Sequence, residues 1–69
     1  MAINIQHTHT ARVDIYYYSE DGYTLHGRDY DDMDSIAERI CEILVKHNFS
    51  YSDVCSAGTG ELLMTIERS

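Results

Sequence analysis

Apolar and polar residues alternate along the first quarter of the chain. Over residues 3–17 the odd positions are mostly apolar and the even positions mostly polar. A period of two residues is typical of a β-strand with one face on a core. The alternation is regular over residues 11–18 and weaker before them, where His7 and His9 take the inward positions. The pattern predicts either one long bent strand or an edge strand that leads into a central one.

A turn at residues 20–22 separates this strand from a second one. A two-residue turn would place His26 opposite Tyr17 and would put polar side chains on the core face. A three-residue turn, with Gly22 in the left-handed conformation of a G1 bulge, instead places Leu25 opposite Tyr17. We therefore predict the three-residue turn. The same register pairs Ile15 with Gly27, Asp14 with Arg28, and Tyr18 with Thr24.

Between residues 31 and 48 the apolar period changes to that of a helix. Asp31 or Asp32 is the predicted N-cap, and Asn48 is the predicted left-handed C-cap. The predicted inner face consists of Met33, Ile36, Ala37, Ile40, Cys41, Leu44 and His47. The predicted outer face consists of Asp34, Glu38, Arg39, Glu42 and Lys46.

The residue pattern in the last third of the chain predicts a second hairpin, with strands at residues 51–57 and 61–67. The register of its first strand stays open because Val54 and Cys55 compete for the core. The apolar face of its second strand is predicted to hold Leu62, Met64 and Ile66. The element order is ββαββ over residues 1–69. This order predicts a single small α+β domain, an antiparallel sheet of about four strands with one helix packed on one face.

Acidic residues are concentrated in the middle of the chain. The 69 residues contain 12 Asp and Glu against 5 Lys and Arg, a net charge of −7, and nine of the acids lie between residues 14 and 42. This charge argues against direct nucleic-acid binding, because phosphates would be repelled. The segment is either a solvated face that maintains solubility or a negative surface that steers the protein toward a basic partner.

No residue pattern indicates catalysis. The chain lacks nucleophile-elbow, P-loop, zincin and dinucleotide motifs, and Cys41 is predicted to be inert on the buried face of the helix. We expect a non-enzyme with no cofactor and no metal site. Without a signal peptide or a spanning segment, we also expect a cytoplasmic protein with reduced cysteines.

The segment Gly27-Arg28-Asp29-Tyr30-Asp31 leads from the first hairpin into the predicted helix. This step resembles the corresponding one in a small anti-CRISPR protein among the type I-F inhibitors. Small acidic single-domain proteins without catalytic motifs are typical of phage-encoded anti-CRISPRs. The resemblance implies a protein that acts in the host bacterial cell. It would bind a CRISPR–Cas effector, on a Cascade subunit or a nuclease, and block DNA recognition or cleavage.

A candidate binding surface combines the acidic segment with the tyrosines of the outer sheet face. Tyr16 and Tyr18 are predicted to face outward, whereas Tyr17 and Tyr23 are predicted to face the core. The candidate partner-binding residues are Asp14, Tyr16, Tyr18, Glu20, Asp21, Asp29, Asp31, Asp32, Asp34, Glu38 and Glu42. The alternative function is a homodimeric structural or regulatory module whose exposed sheet face or edge pairs with itself.

Overall fold

The fold, taken from a computed structural model that describes residues 10–68, is a four-stranded antiparallel sheet with one helix. The strand order is β2-β1-β3-β4, so β1 joins the two hairpins through its pairing with β3. The elements are β1 (Thr10–Tyr18), β2 (Thr24–Asp32), α1 (Met33–Lys46), β3 (Tyr51–Ser56) and β4 (Leu62–Glu67). This arrangement confirms the predicted α+β class. The start of the predicted first strand, with His7 and His9, lies outside the described residues.

The first hairpin has the predicted register. Tyr17 lies opposite Leu25, and Asp14 lies opposite Arg28. Gly22 has a φ of 91°, the left-handed conformation that a G1 bulge requires. The parity argument for a three-residue turn is therefore confirmed, since a shift by one residue would have reversed every side chain of β2.

Strand β2 continues directly into the helix. It ends at Asp32, which is also the N-cap, so no linker separates β2 from α1. The Asp32 side chain accepts a hydrogen bond from the backbone N–H of Ser35. At the other end, Asn48 has a φ of 60°, as predicted for a left-handed residue after the helix.

The core lies between α1 and the two central strands. The helix contributes a narrow stripe of three residues that lie one turn apart, Ile36, Ile40 and Leu44, because only these side chains point directly at the sheet. Edge strand β2 contributes no fully buried residue. The buried core residues are Val13, Ile15, Tyr17, Ile36, Ile40, Leu44, Phe49 and Val54.

Four of the predicted burials are wrong, two on the helix and two at the first hairpin. Cys41 and His47, predicted on the inner face of the helix, are exposed, because both lie beside the stripe. Tyr23 is 58% exposed and Leu25 is 40% exposed. These two residues lie at the turn end of the first hairpin, on an edge that the helix does not cover.

In the second hairpin Val54 takes the core position and Cys55 faces the other way. A β-bulge between them shifts the register, so that Val54 pairs with Met64 but Cys55 pairs with Leu62. Met64 packs against the core as predicted, and so does Ile66. Leu62 does not, and is 56% exposed, because the extra residue in the bulge breaks the period of two before it reaches Leu62.

We expect Ile40→Ala to lower the free energy of unfolding by about 2–5 kcal/mol, because the side chain is completely buried and its loss leaves a cavity. Urea denaturation followed by circular dichroism measures this loss. The matched control is Val45→Ala on the same helix, where the side chain is 68% exposed and little should change. Equal losses from both variants would contradict the helix orientation described above.

We expect Gly22→Val to lower the free energy of unfolding by about 1–3 kcal/mol, because a β-branched residue resists a positive φ. No atom lies within 4 Å of the position that a Cβ would take, so the loss is conformational rather than steric. Gly22→Asn should lose less, since Asn tolerates the left-handed region. Thermal melting of both variants checks the difference, and a smaller loss for Val would contradict it.

Candidate partner-binding surfaces

Arg39 joins the helix to the edge of the sheet. Its Nε and Nη2 donate to the two carboxylate oxygens of Asp29 at 2.9 and 3.0 Å, and Nη2 also donates to Asp31 at 3.1 Å. The hydrogen bond from Arg39 lowers the pKa of Asp29 and raises that of Arg39. Both acids occupy positions on β2 that face the helix side. Asp29 and Asp31, two of the predicted binding residues, therefore stabilise the contact between the helix and the sheet.

Asp21 and Asp32 also act locally. Asp32 accepts from the backbone N–H and the hydroxyl of Ser35, at 3.1 and 2.9 Å, and these bonds lower its pKa. Asp21 accepts from the Ser19 hydroxyl and, at 3.3 Å, from the backbone N–H of Tyr23. The bond from Ser19 lowers the pKa of Asp21. One carboxylate caps the helix and the other closes the turn.

Asp14, Tyr16 and Tyr18 lie together on the sheet face opposite the helix. The Asp14 carboxylate is 3.1 Å from His26 Nε2 and accepts from Arg28 Nε at 3.1 Å. The rings of Tyr16 and His26 stack at 4.8 Å. Tyr18 stacks at the same distance on Tyr51 of β3, which the sequence analysis had not assigned to this face.

The remaining acids form a separate surface on the helix. Asp34, Glu38 and Glu42 are exposed and four residues apart, so their carboxylates recur about every 6 Å along the helix axis. We call these three residues the acidic stripe. None of the ion pairs in residues 10–68 includes them. Glu20 is exposed at the first turn, away from the stripe.

A groove of about 470 Å³ lies between the first turn and the end of the helix. Its floor is Phe49, whose ring stacks on Tyr17 at 5.4 Å and on Tyr23 at 6.2 Å. Glu20 and Asp21 are also among the lining residues. The groove has no local sequence pattern, because its walls come from segments more than 20 residues apart.

No group of three His, Cys, Asp or Glu side chains in residues 10–68 is arranged to hold a metal ion. In the same part of the chain, no helix has both the length and the apolar character needed to cross a membrane.

Comparisons with protein-family models, with curated proteins and with solved structures found no match to this chain.

We expect Arg39→Gln to lower the melting temperature by a few degrees at neutral pH, because the substitution removes the bridge to β2. The folded-state pKa of Asp29 lies below its ordinary value of 3.8, so the bridge stabilises the fold above that pH. The stabilisation is lost as the pH falls through the lower, folded-state value. Melting curves of both proteins from pH 7 to pH 2 should therefore converge at acidic pH.

Asp21 and Asp32 have lowered pKa values in both proteins, so their contributions cancel in this comparison. A difference in melting temperature that stayed constant down to pH 2 would contradict an ionic bridge.

Proposed function

We propose that this protein is a non-enzymatic binding module whose acidic stripe occupies a basic, nucleic-acid-handling surface of another protein. The observation that carries the proposal is that Asp34, Glu38 and Glu42 are exposed and outside the ion pairs of the described residues. Of the eleven predicted binding residues, these three are the ones whose carboxylates extend from the helix into solvent.

The spacing of the stripe argues against a purely structural role. Carboxylates four residues apart on a helix repel each other and cost about 0.2–0.5 kcal/mol per pair. Asp34 lies in the first turn, where the helix dipole favours an anion, but Glu38 and Glu42 lie beyond it. A basic partner would turn this repulsion into attraction, and the field of the stripe would accelerate the encounter.

A surface that binds nucleic acid is lined with Lys and Arg that contact phosphates. Carboxylates held at regular intervals on a helix could take the place of those phosphates and exclude the nucleic acid. Among such surfaces we propose that of a CRISPR–Cas effector, on a Cascade subunit or a nuclease. Two features support this choice: the similarity of residues 27–31 to a type I-F inhibitor and the small acidic domain. On this proposal the protein is a phage-encoded inhibitor that acts in the cytoplasm of the host cell.

The test measures binding of a labelled target duplex by a guide-loaded type I effector complex as this protein is added. The variant Asp34→Asn/Glu38→Gln/Glu42→Gln should inhibit about tenfold less well, because three rim charges are lost. Its inhibition should also depend less on salt. Melting temperatures should stay near that of the wild type, since none of the three takes part in an ion pair of residues 10–68, and the loss of Asp34 from the first turn is offset by relief of the repulsion between the carboxylates.

Glu38→Gln and Glu61→Gln form a matched pair in charge and exposure, and only the first should weaken inhibition. Equal inhibition by all variants at low salt would overturn the role of the acidic stripe. Absence of any inhibition by the wild-type protein would overturn the assignment to a type I effector.

A further inference from the structure

The sheet face opposite the helix, which we call the outer face, carries most of the tyrosines of the protein. No described element covers it. Tyr30 is 62% exposed, and the Arg12 guanidinium lies 5.2 Å from the centre of its ring. With the stacked pairs Tyr16–His26 and Tyr18–Tyr51, aromatic side chains extend across three strands.

Charge is divided unequally between the two sides of the molecule. Apart from Asp32, whose carboxylate caps the helix, the outer face carries two bases, Arg12 and Arg28, and three acids, Asp14, Asp53 and Glu67. The other nine acids of the chain share the rest of the surface with only three bases. Most of the net negative charge therefore lies away from the outer face, where it would repel a second copy. The outer face is nearly neutral and can therefore be approached by another copy.

The charges on the outer face are also unevenly distributed, although Asp14 accepts a hydrogen bond from Arg28 at 3.1 Å. The strand registers place Arg12 and Arg28 at the corner where β1 and β2 approach the helix start. Asp53 and Glu67 lie toward the diagonally opposite corner, on β3 and β4. Consider a two-fold axis that lies in the contact plane, midway between these two corners. Rotation about this axis places the basic corner of each copy on the acidic corner of the other. Such self-complementarity is what an isologous dimer requires.

We infer that the outer face is the interface of a homodimer, formed by two sheets packed face to face about 10 Å apart. This inference is independent of the acidic stripe, which lies on the other side of the sheet. In the dimer the two stripes point away from each other.

The size of the face sets the strength of association. Strands of six to nine residues at 3.3 Å per residue, spaced about 4.8 Å apart, give a footprint of roughly 400 Å² before side-chain relief is counted. Stable complexes bury about 800 Å² of accessible surface per partner. The dimer therefore belongs at the weak end of the range, and its dissociation should be visible at micromolar concentrations.

Sedimentation equilibrium of the full chain over about 10 µM to 1 mM tests the inference. Arg28→Glu makes the basic corner acidic, because Asp14 also lies there, and Glu67→Lys cancels the charge of Asp53 in the acidic corner. Each variant alone should associate about tenfold more weakly than the wild type. An equimolar mixture should regain part of the association, because the acidic corner of the first variant then meets the basic corner of the second. Arg28 is 79% exposed and Glu67 is exposed, so both variants should stay folded, which melting curves check.

Lys46→Glu and Glu61→Lys make the same changes in net charge away from the outer face and serve as controls. Neither should weaken association as strongly as its matched outer-face variant. A wild-type protein that stays monomeric up to 1 mM would overturn the inference. So would controls as strong as the outer-face variants, or a mixture that associates no better than its components.

Discussion

The packing of one helix on two central strands is the contact on which the rest of the structure depends. Ile36, Ile40 and Leu44 lie one turn apart and are buried against β1 and β3. A domain of this size buries only about 60% of its unfolded surface, so it has no second core to compensate for a loss here. This contact fixes the direction of every other helical side chain. It points the acidic stripe into solvent, and no element within residues 10–68 covers the opposite face of the sheet.

The acidity of the chain divides into two groups with different roles. Asp14, Asp21, Asp29, Asp31 and Asp32 each accept hydrogen bonds that shape a turn, a cap or a bridge. In the same segment Glu20 and the acidic stripe extend into solvent. A count of charges along the sequence therefore overstates the surface that is available to a partner. More than half of the acids between residues 14 and 42 satisfy donors within the fold.

Local and periodic features of the fold could be predicted from the sequence. The parity of apolar positions was sufficient for the register at Gly22, and the helical period was sufficient for the stripe at Ile36, Ile40 and Leu44. These features depend on neighbours within a few residues. The bridge from Arg39 to Asp29 could not be predicted in the same way, because it depends on β2 running up to the helix without a linker.

Other features that escaped prediction depend on contacts between distant segments. The bulge beside Val54 exposes Leu62. The period of two residues along a strand does not indicate where an extra residue is inserted. Ser52 is completely buried although its type favours the surface. Among the predicted site residues, the sequence identified the acids but could not separate those held by Arg39, caps and turns from those that are free to bind.

The position of Asp29 and Asp31 has a consequence for solubility at high concentration. Strand β2 is nine residues long and forms an edge of the sheet, where unpaired backbone groups can template the addition of foreign strands. Charged side chains that point inward from an edge strand are a recognised defence against such growth, because an added strand would have to bury against them. The bridge to Arg39 satisfies these two carboxylates without removing their polarity. By this principle, the same side chains that hold the helix should also hinder the addition of a foreign strand to β2.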